Sequence, residues 1–251
     1  MNARINYQCC CTLLLIPILL SLGGMRASAE EIRIAVPAIT NLLEEDQSGT
    51  YQRIFNSAVS ETGYSVKQLF FPYQRALNVF QQGNVDCIFS FTDVMEERFG
   101  KESIISSFPL GAFAYFIFTA KNSPAITDVN SLLKMRVGGV IGHENYYKSA
   151  LHVKTKLFMV NSDEQNLQML KLGRIQAFIA AIPDILPYTN DLNYSPEHAL
   201  FTGYDRLTCF NNPENKRFVD TLSTQLKKLK SEGVYQQISG KLYVDFDESE
   251  P

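Results

Sequence analysis

One stretch of thirteen residues is written twice in this chain. Residues 77–89 read LNVFQQGNVDCIF and residues 167–179 read LQMLKLGRIQAFI, ninety positions apart. Both copies open on Leu, carry apolar residues at the third and fourth places, put Gly at the seventh, and end on a β-branched residue, a polar one and an apolar run. Leu77, Val79 and Phe80, like Leu167, Met169 and Leu170, recur at helical spacing, and Gly83 and Gly173 stand where a left-handed cap stops a helix. Residues 85–89 and 175–180 then read as short, mostly apolar strands covered on both faces. A weaker echo precedes each copy, since IRIAV at 32–36 and MRVGGV at 135–140 both read as opening strands of an α/β layer. A helix, a glycine and a buried strand repeated at this distance predict two similar α/β lobes.

The first residues carry Arg4, an apolar run at 12–22 and then Ala27, Ser28 and Ala29, the pattern of a secretory signal peptide with a small-residue cleavage site. The apolar run is shorter than the ~20 residues a membrane span needs. Cleavage after Ala29 leaves 222 residues, enough for two modest lobes, with 21 Lys and Arg against 26 Asp and Glu. A mildly acidic chain without a basic cluster argues against nucleic acid as the partner. Cys9, Cys10 and Cys11 precede the apolar run, where a lipid-modified cysteine would have to follow it. Cys87 and Cys209 remain, and either a disulfide in an oxidising compartment or two buried thiols accounts for them.

Beyond residue 30 the sequence divides into elements without low-complexity linkers. A polar loop at 41–50 leads to a helix ending near Thr62 and Gly63, then a strand at 66–71, and Pro72 and Tyr73 open the helix of the first repeated unit. An aromatic-rich strand at 113–119 runs into Lys121, Asn122, Ser123 and Pro124, read as a crossing between lobes. The second lobe continues to about Thr202, followed by a strand at 206–210 and one long amphipathic helix at 215–237. Two crossings make a hinge, with a ligand cleft where strand ends meet helix N-termini.

Several of these segments together resemble the extracellular solute-binding proteins of family 3, the periplasmic receptors of polar amino acid ABC transporters. The resemblance rests on GNVDCIF at 83–89, Glu96-Glu97-Arg98, Phe108-Pro109-Leu110, Arg136-Val137-Gly138 with Gly142, the second helix-glycine-strand unit, and the ending at 226–235 with Glu232-Gly233-Val234-Tyr235. It spans nearly all of residues 30–245 in the family's order. Tyr73-Gln74-Arg75-Ala76-Leu77 is similar to one branch of the family. The resemblance implies a two-lobed type II periplasmic-binding-protein fold of mixed sheets flanked by helices, with two crossing strands as hinge. The lobes are expected at 30–118 with 205–251, and at 119–204.

It also implies a site. Arg98 falls where the family receives a ligand carboxylate, a role suited to a guanidinium's planar fork of donors. Gly142, His143 and Glu144 fall where a glycine-led loop and helix start offer backbone N–H groups to the same carboxylate. Phe91 at a strand end, Tyr73, Tyr146 and Tyr147 are candidates to line the cleft, and Arg75 is a second candidate anion contact. Read from charge pattern alone, Arg98 in its Glu-Glu-Arg run is a solvated helix residue and Arg75 a salt-bridge partner. Three departures from the family's pattern count against a standard α-amino acid as ligand. Ala181 stands where the family's ammonium-binding aspartate is expected, no ring follows the first strand, and Met95 replaces a threonine three before Arg98. Asp184 and Glu144 are the acids placed to take over an ammonium.

The expected activity is therefore binding of a small carboxylate-bearing solute, an amino acid or related compound, in an interlobe cleft for uptake through a membrane permease of ABC type, by a monomer without cofactor. A sensor docking on a membrane signalling protein is the alternative, because uptake and sensing share the receptor physics. A lyase on the same fold is weighed below both. The sequence holds no nucleophile elbow or phosphate loop, its histidines (His143, His152 and His198) are scattered, and Asp93, Glu97, Glu144 and Asp184 show no spacing of an acid and base pair.

Overall fold

The computed structural model describes Met1, residues 31–151 and residues 155–247. The expected signal peptide lies outside the described residues, as does His152. The chain runs β1 (Ile32–Pro37), α1 (Thr50–Val59), β2 (Val66–Phe71), α2 (Tyr73–Gln81), β3 (Cys87–Phe91), α3 (Thr92–Phe99), β4 (Ile104–Ser106) and β5 (Gly111–Ala120). It continues through β6 (Val137–Val140), α4 (Glu144–Ala150), β7 (Leu157–Val160), α5 (Asp163–Lys171), β8 (Ala177–Ile182), β9 (Leu192–Asn193), β10 (Phe201–Phe210), α6 (Pro213–Ser231) and α7 (Val234–Ser239).

The main path of the sheet is β2-β1-β3-β10-β5-β8-β6-β7. Parallel pairs occupy both ends, β1 with β2 and β3, and β6 with β7 and β8. Two long antiparallel strands join them. β10 pairs β5 over Phe201–Asp205 and β3 over Asp205–Cys209, while β5 goes on to pair β8 through residues 114–118. β5 thus pairs β10 from residue 111 and β8 from residue 114, and β10 begins at Phe201 rather than 206 because its first residues pair β5.

Each half is covered on both faces, as short apolar strands require. In the first half Ile34, Val36, Cys87 and Phe89 face the core under α1 and α6, while Ala35 and Ile88 face Leu77 and Phe80 of α2. In the second, Phe178 and Ala180 face Leu167 and Leu170 of α5, and Ala177 and Ile179 face Tyr146 and Tyr147 of α4. The alternation is the period of two that a pleated strand imposes.

The sequence repeat is a structural repeat down to single hydrogen bonds. Gly83 and Gly173 hold φ of 70° and 65°. The N–H groups of Gly83 and Asn84 donate to Phe80 and Val79 carbonyls, and those of Gly173 and Arg174 to Leu170 and Met169, which is the same two-bond helix stop in each copy. Asp86 N–H donates to the Arg33 carbonyl and Gln176 N–H to the Arg136 carbonyl, both at 2.9 Å. In return Arg33 N–H donates to Asp86 Oδ2 and Arg136 N–H to Gln176 Oε1. The polar residue after the β-branched one is therefore a clamp to the neighbouring strand, and the ladder proper starts one residue later, at Cys87 and Ala177.

Two further points differ from the sequence reading or resolve it. The long final helix is two, since Gly233 at φ 75° ends α6 and turns the chain into α7. Cys87 and Cys209, opposite one another on β3 and β10, form a disulfide with Cα atoms 3.9 Å apart. No helix among the described residues is long and apolar enough to cross a membrane.

Candidate functional site

A cleft of about 490 Å³ opens between the two halves. One wall is the end of β1 with the start of α2, contributing Ala38, Ile39, Thr40 and Tyr73. The other is the end of β6 with the start of α5 and the turn after β8, contributing His143, Asp163, Glu164 and Asp184. A small cavity of about 20 Å³ adjoins it, sharing Ile39, Tyr73, His143 and Asp184 and adding Tyr115, Tyr146, Ala181 and Asp205. Strand C-termini and helix N-termini converge here from both halves, the usual location for a ligand in an open α/β sheet. A larger cavity, about 660 Å³, lies elsewhere, between the crossing strands and the C-terminal residues 244–247.

The deep end of the cleft is aromatic. Pro72 starts α2 and sets Tyr73 on its first turn, where its ring meets His143 edge-on at 5.0 Å and its hydroxyl bonds that of Tyr146. His143 precedes α4, and its Nδ1 lies 3.1 Å from the Tyr115 hydroxyl. Tyr115 stacks on Phe201 at 4.8 Å and on Tyr146 at 5.6 Å, so both crossing strands bring rings to the site. Tyr147 serves the scaffold instead, accepting from Val140 N–H at 2.8 Å. Gly142 has φ 98°, and a Cβ there would sit 2.9 Å from Tyr73 Cδ1, so the close approach of the two walls needs glycine.

Its electrostatics are acidic. Among the described residues, the lining of the two cavities includes Glu44, Asp163, Glu164, Asp184 and Asp205 and neither lysine nor arginine. Glu44 accepts from Asn41 N–H and Glu164 from the Tyr188 hydroxyl. Asp163 Oδ1 is sealed from solvent without a partner. Burial pushes the Asp163 carboxyl up to about 7 against the pull of the neighbouring Asn166 amide, and pushes Asp205 up to about 7 against that of the Tyr51 hydroxyl. Asp184 is raised well above the carboxylate range, first by burial and then by Asp163 and Asp205. Burial lowers His143 to about 4, so its imidazole is neutral.

The site residues expected from sequence divide. Tyr73, His143 and Tyr146 meet in the cleft, and Gly142 packs against Tyr73. Glu144 is exposed, and its Oε2 accepts from Gly142 N–H at 2.8 Å, so the chain's own carboxylate occupies the loop N–H expected to serve a ligand. Arg98 is exposed on α3, with its guanidinium donating to Gln81 Oε1 and 5.9 Å from the Phe99 ring, and it does not line the cleft. Arg75 is likewise outside the lining, exposed over Phe71 at 5.6 Å. Phe91 ends β3 opposite Asp205, and its side chain lies outside the described residues. Sequence reasoning passed over Asp163, which reads as an ordinary first-turn acid behind the Ser162 cap, and Asp205 and Tyr115, which only the crossing of β5 and β10 brings to the site.

This arrangement is the fold of the two-lobed type II periplasmic binding proteins. The chain is similar to the glutamate-bound ligand-binding core of GluR0 from Nostoc punctiforme, at 16% identity and a TM-score of 0.68, over 84% of this chain and 99% of that one. It is similar to the substrate-binding protein of an amino acid ABC transporter, at 16% identity and 0.65, over 85% and 99%. It is also similar to AbpA from Streptococcus pneumoniae, an amino acid ABC transporter substrate-binding protein bound to L-arginine, at 16% identity and 0.65, over 84% and 94%. No family model matches the sequence, and no curated protein matches it.

Proposed function

We propose that this chain is a solute receptor that closes around a small organic molecule in the cleft between its lobes and presents the closed form to a membrane permease of ABC type. The observation that carries the reading is the cleft itself, whose walls come from opposite halves of a sheet joined through β5 and β10. Such a geometry couples ligand contact to rotation about two strands. The lobes are 30–118 with 205–251, and 119–204, and the receptor acts as a monomer that binds rather than transforms its solute. A signal peptide at 1–29 and a periplasmic location complete it, supported by the Cys87–Cys209 disulfide, which persists in an oxidising compartment.

A ligand sensor on a membrane signalling protein is the second reading. It is favoured by the likeness to the ligand-binding core of GluR0.

The test is native mass spectrometry and thermal unfolding of the protein after exchange against a bacterial small-molecule extract. A receptor gains one small-molecule adduct and unfolds several degrees higher, since a solute at 100 times its Kd adds about 2.7 kcal/mol. No adduct and no shift would overturn the reading.

A further inference from the structure

We propose that the cleft takes an organic cation, an amine or guanidinium compound without a carboxylate, held by Asp184 and Asp163 and faced by the rings of Tyr73, Tyr115 and Tyr146. This rests on the receptor reading and narrows it to a class of solute.

The first argument is the missing counter-ion. Among the described residues, Lys and Arg are absent from the lining of both cavities, whereas five carboxyl groups contribute to it. Among the described residues Asp163 Oδ1 has no hydrogen-bond partner. Half-buried carboxylates without a counter-ion are costly to a fold, and a bound cation supplies the charge that the described lining withholds.

The second argument is the aromatic wall. Tyr73, Tyr115 and Tyr146 line the small cavity together with Asp184 and Asp205. Ring faces beside carboxylates attract a desolvated cation, and a tyrosine oxygen accepts from ammonium or guanidinium N–H. His143, neutral among these rings, adds no opposing charge.

A third argument concerns what an anion would meet. Glu144 occupies Gly142 N–H, and Gln81 holds Arg98 outside the cleft. A solute carboxylate would sit among Asp163, Glu164 and Asp184 with no cation among the described lining residues to offset the repulsion.

Calorimetric titration with matched probes tests this. Agmatine and arginine differ by one carboxylate, as do putrescine and ornithine, and butyrate is the bare anion. The expected result is binding of agmatine and putrescine, with arginine, ornithine and butyrate at least about tenfold weaker. Asp184→Asn and Asp163→Asn should each weaken agmatine at least about tenfold while unfolding no lower than wild type, since each removes a half-buried acid that lacks a counter-ion. Binding of arginine or ornithine at least as tight as their carboxylate-free partners would overturn the proposal, as would agmatine affinity unchanged in both variants. If no probe binds while the extract still yields an adduct, the cation class falls and the receptor stands. If the extract also fails, both fall.

Discussion

The hydroxyl of Tyr73 on α2 bonds the hydroxyl of Tyr146 on α4, and this contact ties the two halves of the sheet together across the cleft. Both rings also pack on His143, so the junction is the deep wall of the site as well as its latch.

Removing either hydroxyl should loosen that junction. Tyr73→Phe and Tyr146→Phe should each lower stability by about 1 kcal/mol, and the double variant should cost less than the sum, because one bond is lost once. Thermal unfolding of the four proteins measures the coupling. Strict additivity would show that the two hydroxyls do not interact in solution.

The buried acids give a pH dependence with a definite sign. Asp163, facing Asn166, Glu164 and Asp184, and Asp205, facing Tyr51, titrate near 7 folded against about 3.9 unfolded. Their protonated forms are favoured by folding, so each contributes stability that is complete below about pH 4 and is lost as pH rises to about 7. His143, lowered to about 4 by burial, acts oppositely between about pH 4 and 6.5. The difference between Asp163→Asn and wild type isolates one carboxyl. The variant's relative stability should grow by about 1 kcal/mol or more from pH 4.5 to 7.5, as read by denaturant unfolding. A pH-independent difference would contradict the burial of Asp163.

The Cys87–Cys209 disulfide closes a separation of 122 residues. Chain entropy gives such a cross-link about 5 kcal/mol. Cys87→Ala with Cys209→Ala, compared with the oxidised protein by thermal unfolding, should lower Tm by about 10 °C or more. An unchanged Tm would mean that the link does not form in the purified protein.

Arg98 separates the resemblance from the geometry. With its guanidinium on Gln81 and outside the lining, Arg98→Ala should leave affinity for a bound solute within about twofold, measured by titration. Loss of binding would restore it as the carboxylate receptor.

Much of the fold was legible in sequence because it depends on local signals. Gly83 and Gly173 adopt the left-handed conformation that their place after Gln82 and Leu172 suggests, and β2 runs over the expected residues 66–71. The break at Gly233 went unread because the apolar period continues through it, Leu226 and Tyr235 both being buried. The site was only half legible. Tyr73 and His143 follow recognisable strand-to-helix turns. Asp205 and Tyr115 are ninety residues apart and meet only because β5 and β10 pair from Gly111 and Asp205 onward, a tertiary fact with no local signature. The role of Glu144 was hidden for the same kind of reason: only the backbone turn at Gly142 shows that the acid serves its own loop.

The measurement that bears most directly on the account is the distance between spin labels at Lys67→Cys on β2 and Phe158→Cys on β7, exposed positions on the outermost strands of the sheet. Pulsed dipolar spectroscopy with and without the bacterial extract should show a broad distribution collapsing to a single shorter distance. The same distribution in both samples, while mass spectrometry shows a solute bound, would contradict a receptor that works by closing its lobes.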